Sequence, residues 1–148
     1  MKLGILTVPF SGMSLEETLQ YLKTLGIQAI ELGTGCFTDD SHCKVKELIE
    51  NPQKAKDLKA LVESYGMTIS ALSCHGNPVH PNPEVAGHDH ENYLDTLKAA
   101  ELLGVNTVVT FSGCPGSDPG AGKPNWVTCS WPPVYGEIPG TISGIECT

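Results

Sequence analysis

No stretch of the chain is apolar for long enough to cross a bilayer. The first residues also lack the extended apolar run of a signal peptide, because a strand-like segment begins directly at Leu3. These two absences lead us to expect a cytoplasmic protein with no membrane partner. Cations are scarce, with 9 Lys and Arg against 17 Asp and Glu and a formal charge of −8. A surface of that sign disfavours non-specific nucleic-acid binding, and no Lys/Arg cluster offers a local basic groove. The six cysteines, at 36, 43, 74, 114, 129 and 147, form no C-x-x-C pair and match no zinc knuckle. Without an export signal they read as reduced thiols. Cys74 and Cys114 read as small buried residues near strand ends. No G-x-G-x-x-G fingerprint follows a strand. The glycine-rich run ending Gly122-Lys123 fails as a Walker loop, because Pro124 stands where Ser or Thr is required.

What the chain does have is a repeated phrase, in which a helix ends, a glycine follows and a buried strand begins. It occurs at Leu25-Gly26-Ile27, at Tyr65-Gly66-Met67 and at Leu103-Gly104-Val105, about 40 positions apart each time. Each glycine is placed to take the left-handed turn that closes a helix. A βα unit recurring at this length predicts an α/β fold with a parallel sheet. The length of 148 residues and the hydrophobic fraction of 40% suffice for one domain with a core.

Local signals place the elements. Strand segments are expected at Leu3–Thr7, Ala29–Leu32, Thr68–Ser73 and Thr107–Phe111. Ser14 and Glu17 have the spacing of a capping box. The helix behind them presents Leu15, Leu19, Leu22 and Leu25 on one face. A short helix is expected over Lys44–Glu50, and Asn51-Pro52 restarts a helix with proline at its first position. Leu58, Leu61, Val62 and Tyr65 form its inner side. Asp89 is the expected cap of the last helix, whose buried side is Tyr93, Leu97, Ala100 and Leu103. His88-Asp89-His90-Glu91 reads as that cap rather than a metal cluster, because residues 88 and 90 diverge on a helix.

The connections are asymmetric. Helix-to-strand links are a glycine and one or two residues, whereas the links after the later strands are long and polar. Ligands of parallel α/β folds bind at the carboxyl ends of strands. The candidate substrate-binding residues are therefore Phe10, Glu31, His75, Asn77, His80, Ser112 and Trp126. The segment 135–148, rich in glycine and β-branched residues, keeps no amphipathic period and reads as an atypical, non-native tail after residues 1–134.

Strand-end Glu31, the segment Ala71-Leu72-Ser73-Cys74-His75-Gly76-Asn77-Pro78, and Val108-Val109-Thr110-Phe111-Ser112-Gly113-Cys114-Pro115-Gly116 resemble the sugar phosphate isomerase/epimerase family, the xylose-isomerase-like group of (β/α)8 TIM barrels. The similarity covers about residues 1–134, the first half of such a barrel, about four strands. It implies a small-molecule sugar substrate. It also implies a divalent metal (Mn, Mg, Co or Zn) that polarises a carbonyl while carboxylates move the neighbouring proton. The family's metal and catalytic carboxylates lie on later strands, so no metal and little activity are expected of this half alone. The resemblance sets His75 facing the sugar or a metal-linked water, Glu31 hydrogen-bonding near the pocket floor, and Phe10 as an apolar wall. Two other readings are weighed. One is an abasic-site endonuclease of the same superfamily, which the acidity disfavours. The other is a non-catalytic half-barrel that forms a homo-oligomer through its exposed sheet edges.

Overall fold

A computed structural model of the chain describes residues 1–118 and 120–125. Trp126 and the segment 135–148 lie outside the described residues. The elements are β1 (Gly4–Leu6), a 3-10 turn (Val8–Phe10), α1 (Leu15–Thr24), β2 (Ala29–Cys36), α2 (Val45–Glu50), α3 (Pro52–Ser64), β3 (Thr68–His75), α4 (Pro83–Leu103) and β4 (Val108–Thr110). The four strands form one sheet in the order β1-β2-β3-β4, and every pair is parallel. Contacts divide the chain into two compact units, Met1–Gly76 with Glu91–Phe111, and Asn77–His90 with Ser112–Thr148. The whole sheet belongs to the first. No helix among the described residues is long and apolar enough to cross a membrane.

The repeated glycines do what their positions predict. Gly26, Gly66 and Gly104 have φ of 73°, 78° and 68°, the left-handed turn that ends α1, α3 and α4. Ser14 and Glu17 form the complete capping box of α1, and the Asn51 side chain accepts from the Gln53 N–H at the start of α3. Packing follows the helical period, with Leu19 and Leu22 of α1, Ala55 and Val62 of α3, and Ala99 and Leu103 of α4 all buried. They cover Ile30 and Leu32 of β2 and Leu72 of β3, which share the same apolar cluster. Each leucine, isoleucine or valine side chain buried this way contributes about 1.5–3 kcal/mol.

Several expectations need correction. β2 runs to Cys36 and β3 to His75, beyond the apolar runs that marked them. Leu25 is the C-cap of α1 and is 53% exposed, so the helical face ends at Leu22. Leu97 is 40% exposed, and the inner side of α4 is Thr96, Ala99, Ala100 and Leu103. Asp89 caps nothing. α4 begins at Pro83, where the Asn82 carboxamide oxygen accepts from the Glu84 N–H at 2.9 Å.

Candidate functional site

Side chains alternate across a strand, so β2 and β3 each carry two surfaces. Ile30, Leu32 and Leu72 lie in the helix-covered core. Glu31 pairs in register with Ala71, Gly33 with Ser73, and Ser73 with Val109. These residues, with His75 and Phe111 one step further along, form the far face of the sheet. Small residues dominate it. Ala71 and Ser73 are covered, Glu31 and His75 are half-buried, and Val109 and Phe111 are 37% and 44% exposed.

Two pairs organise this face. The Ser73 hydroxyl donates to Glu31 Oε1, which fixes the carboxylate across the β2–β3 ladder. The His75 imidazole stacks on the Phe111 ring, with centroids 4.4 Å apart and planes 9° from parallel. His75 Nε2 is buried and has no hydrogen-bond partner among the described residues. A buried polar atom left without a partner is costly, and such atoms tend to mark where a ligand or water completes the set.

The backbone beneath is held firmly. The Ser73 carbonyl accepts from Thr34 Oγ1 at 2.9 Å and from Thr38 Oγ1 at 2.6 Å. Thr34 Oγ1 also meets Thr96 Oγ1 of α4 at 3.0 Å, tying the end of β2 to that helix. A Cβ at Gly33 would run into the Thr38 carbonyl oxygen, so the turn after β2 can fold back only over glycine. The polar side chains of the far face thus stand on a rigid ladder rather than on a loop.

The predicted residues are distributed unevenly. Glu31 and His75 come to the far face. Phe10 sits in the 3-10 turn with its ring 6.0 Å from Tyr21 of α1 and tilted by 55°. In the second unit, the Asn77 carboxamide is committed to backbone: Nδ2 donates to the Cys114 carbonyl and Oδ1 accepts from the Cys114 N–H, both at 2.9 Å. The Asn77 N–H donates to Asp89 Oδ2 at 2.6 Å, which explains what Asp89 does in place of capping. His80 Nδ1 accepts from the Asn82 N–H at 2.9 Å, and Ser112 is exposed. Ser73 and Phe111 were not singled out from the sequence. Alternation from His75 and Val109 was the signal that could have found them.

A catalytic zinc takes three protein ligands, whereas magnesium is commonly held by one or two carboxylates and waters. Glu31 and His75 supply two donors on the far face, and one Glu31 oxygen is already bonded to Ser73. Among the described residues, no three His, Cys, Asp or Glu ligands gather on that face. The donor set of the far face, Glu31 and His75, falls short of a catalytic zinc site among the described residues.

The chain is similar to known proteins in both sequence and fold. It is 36% identical over 141 residues to the uncharacterized protein YfiH of Bacillus subtilis (strain 168), a match that covers 93% of this chain and 44% of that protein. Its fold resembles the probable 3-DHS dehydratase AsbF of Bacillus anthracis, involved in petrobactin synthesis, with TM-score 0.54 and 21% identity over 79% of this chain and 40% of that one. It also resembles D-psicose 3-epimerase from Clostridium cellulolyticum H10, solved with D-tagatose, with TM-score 0.51 and 20% identity over 74% of this chain and 37% of that one. The chain therefore spans less than half the length of these relatives. A family model described as xylose isomerase-like TIM barrel matches residues 19–130. The chain belongs to the xylose isomerase-like TIM barrel family.

Proposed function

We propose that the far face is the sugar-facing wall of a sugar or sugar-phosphate isomerase/epimerase, and that these 148 residues supply part of the pocket without its proton-transfer centre. The observation that carries this reading is the buried Nε2 of His75, without a partner among the described residues and stacked with its ring on Phe111, on the same face as the Glu31–Ser73 pair. A sugar presents hydroxyls and a C–H face. Glu31 accepts from a hydroxyl, His75 Nε2 completes its hydrogen bonding with another, and the ring of Phe111 offers an apolar surface to the C–H face. The parent reaction, proton transfer next to a carbonyl, needs a divalent metal to stabilise the oxyanion. Among the described residues the far face offers Glu31 and His75 without a third ligand, so we assign the metal and the catalytic carboxylates to the family's later strands.

The test is turnover in deuterated water. The purified chain is mixed with Mn2+ and a panel of ketoses and ketose phosphates, and deuterium uptake next to the carbonyl is followed by NMR. Uptake at the blank rate is expected. Robust metal-dependent exchange by the pure chain would overturn the assignment of the reacting groups. We also propose that the outer edges of β1 and β4, which pair with no strand among the described residues, let two copies associate. Sedimentation velocity on the same sample should show a dimer, and a compact monomer would contradict it.

A further inference from the structure

Cys36 is the last residue of β2, and Cys74 is the last but one of β3. A single carboxamide joins them. Asn92 Nδ2, from α4, lies 3.7 Å from Cys36 Sγ and 3.1 Å from Cys74 Sγ, and it also donates to the Thr34 carbonyl at 3.2 Å. Alternation sets both sulfurs on the α4 side, Cys36 following Leu32 and Thr34 along β2 and Cys74 following Leu72 along β3. Cys36 pairs in register with His75, whose side chain lies on the far face, whereas Cys74 points the other way. The ladder shifts between Gly33 and Cys36, and Cys36 has φ of 59°, a left-handed backbone that residues with a side chain rarely adopt. The Cys36 thiol thus stays on the side of Cys74 although its cross-strand partner is His75, and both sulfurs meet Asn92. Gly35, with φ of 125°, keeps the space open, since a Cβ there would lie 2.7 Å from Asn92 Nδ2.

The backbone spacing suits a covalent link. Cys74 is one strand across from Cys36 and one residue along. In a regular ladder, with about 4.8 Å between strands and about 3.3 Å per residue, Cα atoms so placed stand about 5.8 Å apart, within the roughly 4.4–6.8 Å that disulfides span. The two thiols differ in access, Cys36 being half-buried and Cys74 only 1% exposed. That is the arrangement of an attacked thiol with a resolving thiol behind it.

The geometry points to Cys36 and Cys74 as an oxidation site, closed to an intramolecular disulfide by hydrogen peroxide. In the first step the Cys36 thiolate attacks one peroxide oxygen, the O–O bond breaks, and the departing hydroxide takes up a proton to leave as water. Cys36 becomes a sulfenic acid. Cys74 then gives up its proton as its sulfur attacks that of Cys36, the S–O bond breaks, and the departing hydroxide takes up that proton to leave as a second water. Both sulfurs are oxidised by one electron each, and the peroxide is reduced to two waters. Closure removes both sulfur acceptors from Asn92 and stitches β2 to β3 beside His75. Cys43 provides an internal control. Its thiol is 1% exposed, and burial, aided by Asp40, pushes its pKa up to about 12, so it stays protonated and inert.

The experiment uses the full chain, reduced, desalted and exposed to hydrogen peroxide. Remaining thiols are then alkylated, and the digest is mapped by mass spectrometry, with no substrate required. The expected result is one linked peptide pair, Cys36 with Cys74, lighter by two hydrogens, first to appear and reversed by dithiothreitol. In the Cys74→Ser variant, Cys36 should stop at the sulfenic acid and be trapped by dimedone. In Cys36→Ser, Cys74 should stay alkylatable once the chain is unfolded. Separate alkylation of Cys36 and Cys74 at a peroxide level that oxidises other thiols would overturn the proposal. A linked pair formed first by any other cysteines would do the same. Should either variant fail to fold, the map of the unsubstituted chain still decides.

Discussion

Strand β3 carries two surfaces that obey different rules. On the helix side, Leu72 is fully buried among Leu32, Val62 and Leu103, and its neighbours are aliphatic. On the far side, one and three residues further along, Ser73 holds a carboxylate and His75 leaves a ring nitrogen without a partner among the described residues. The contrast shows how a single strand divides its labour. Apolar burial on one side supplies the stability, and the rigidity so obtained lets small and polar residues stand in fixed places on the other. Substitutions should therefore separate by face. Those on the helix side should cost folding, and those on the far side should cost binding.

The sharpest way to break this comparison is Leu72→Ala. A cavity in the middle of the core should lower stability by about 2–5 kcal/mol in urea titrations. The far-face substitution His75→Ala should leave the urea midpoint near that of the parent. Equal losses for the two would mean that the faces do not differ in kind. A smaller effect tests the turns that feed the strands. Gly66→Ala forces a side chain into φ of 78° and should cost about 1–2 kcal/mol. Gly87→Ala, inside α4 where a Cβ meets nothing within 4 Å, should instead stabilise by about 0.4–1 kcal/mol. Thermal melts that move both variants in the same direction would contradict the role given to the repeated glycines.

The smallest effect concerns the cap of α1. The Ser14 hydroxyl, and then its backbone N–H, hold the Glu17 carboxyl below its ordinary value of 4.5. A carboxyl lowered in the folded state contributes stability above its unfolded value and loses it as pH falls through the folded one. The stability difference between the parent and Ser14→Ala should therefore shrink as pH drops below the ordinary carboxylate range. Urea titrations across an acidic pH series would show this, and a difference that grows on acidification would contradict it.

Much of the fold was legible because its signals are local. A glycine after a helix, a serine three residues ahead of a glutamate, and proline after Asn51 each act within a turn of chain, and each holds in the structure. The parallel sheet followed from their repetition. What stayed hidden depends on distant partners. The extension of β2 through Gly33 and Thr34 rests on pairing with β3 and on the Ser73 carbonyl, 39 residues further along the chain from Thr34. Asp89 was misread because its carboxylate serves the Asn77 N–H, while α4 starts earlier, over Pro83. For the site, Glu31 and His75 were visible as polar residues in apolar strands. Their supports, Ser73 and Phe111, look like ordinary strand residues until register and alternation set them on the same face.

The most direct test is NMR on the labelled chain, titrated with a ketose and followed at both faces of the sheet at once. The far face should respond, with shifts at Ser73, at the His75 imidazole and at the Phe111 ring, while Leu32 and Leu72 stay still. Signals that move only on the helix side, or that nowhere change at saturating sugar, would contradict the claim that the far face is where this protein meets its substrate.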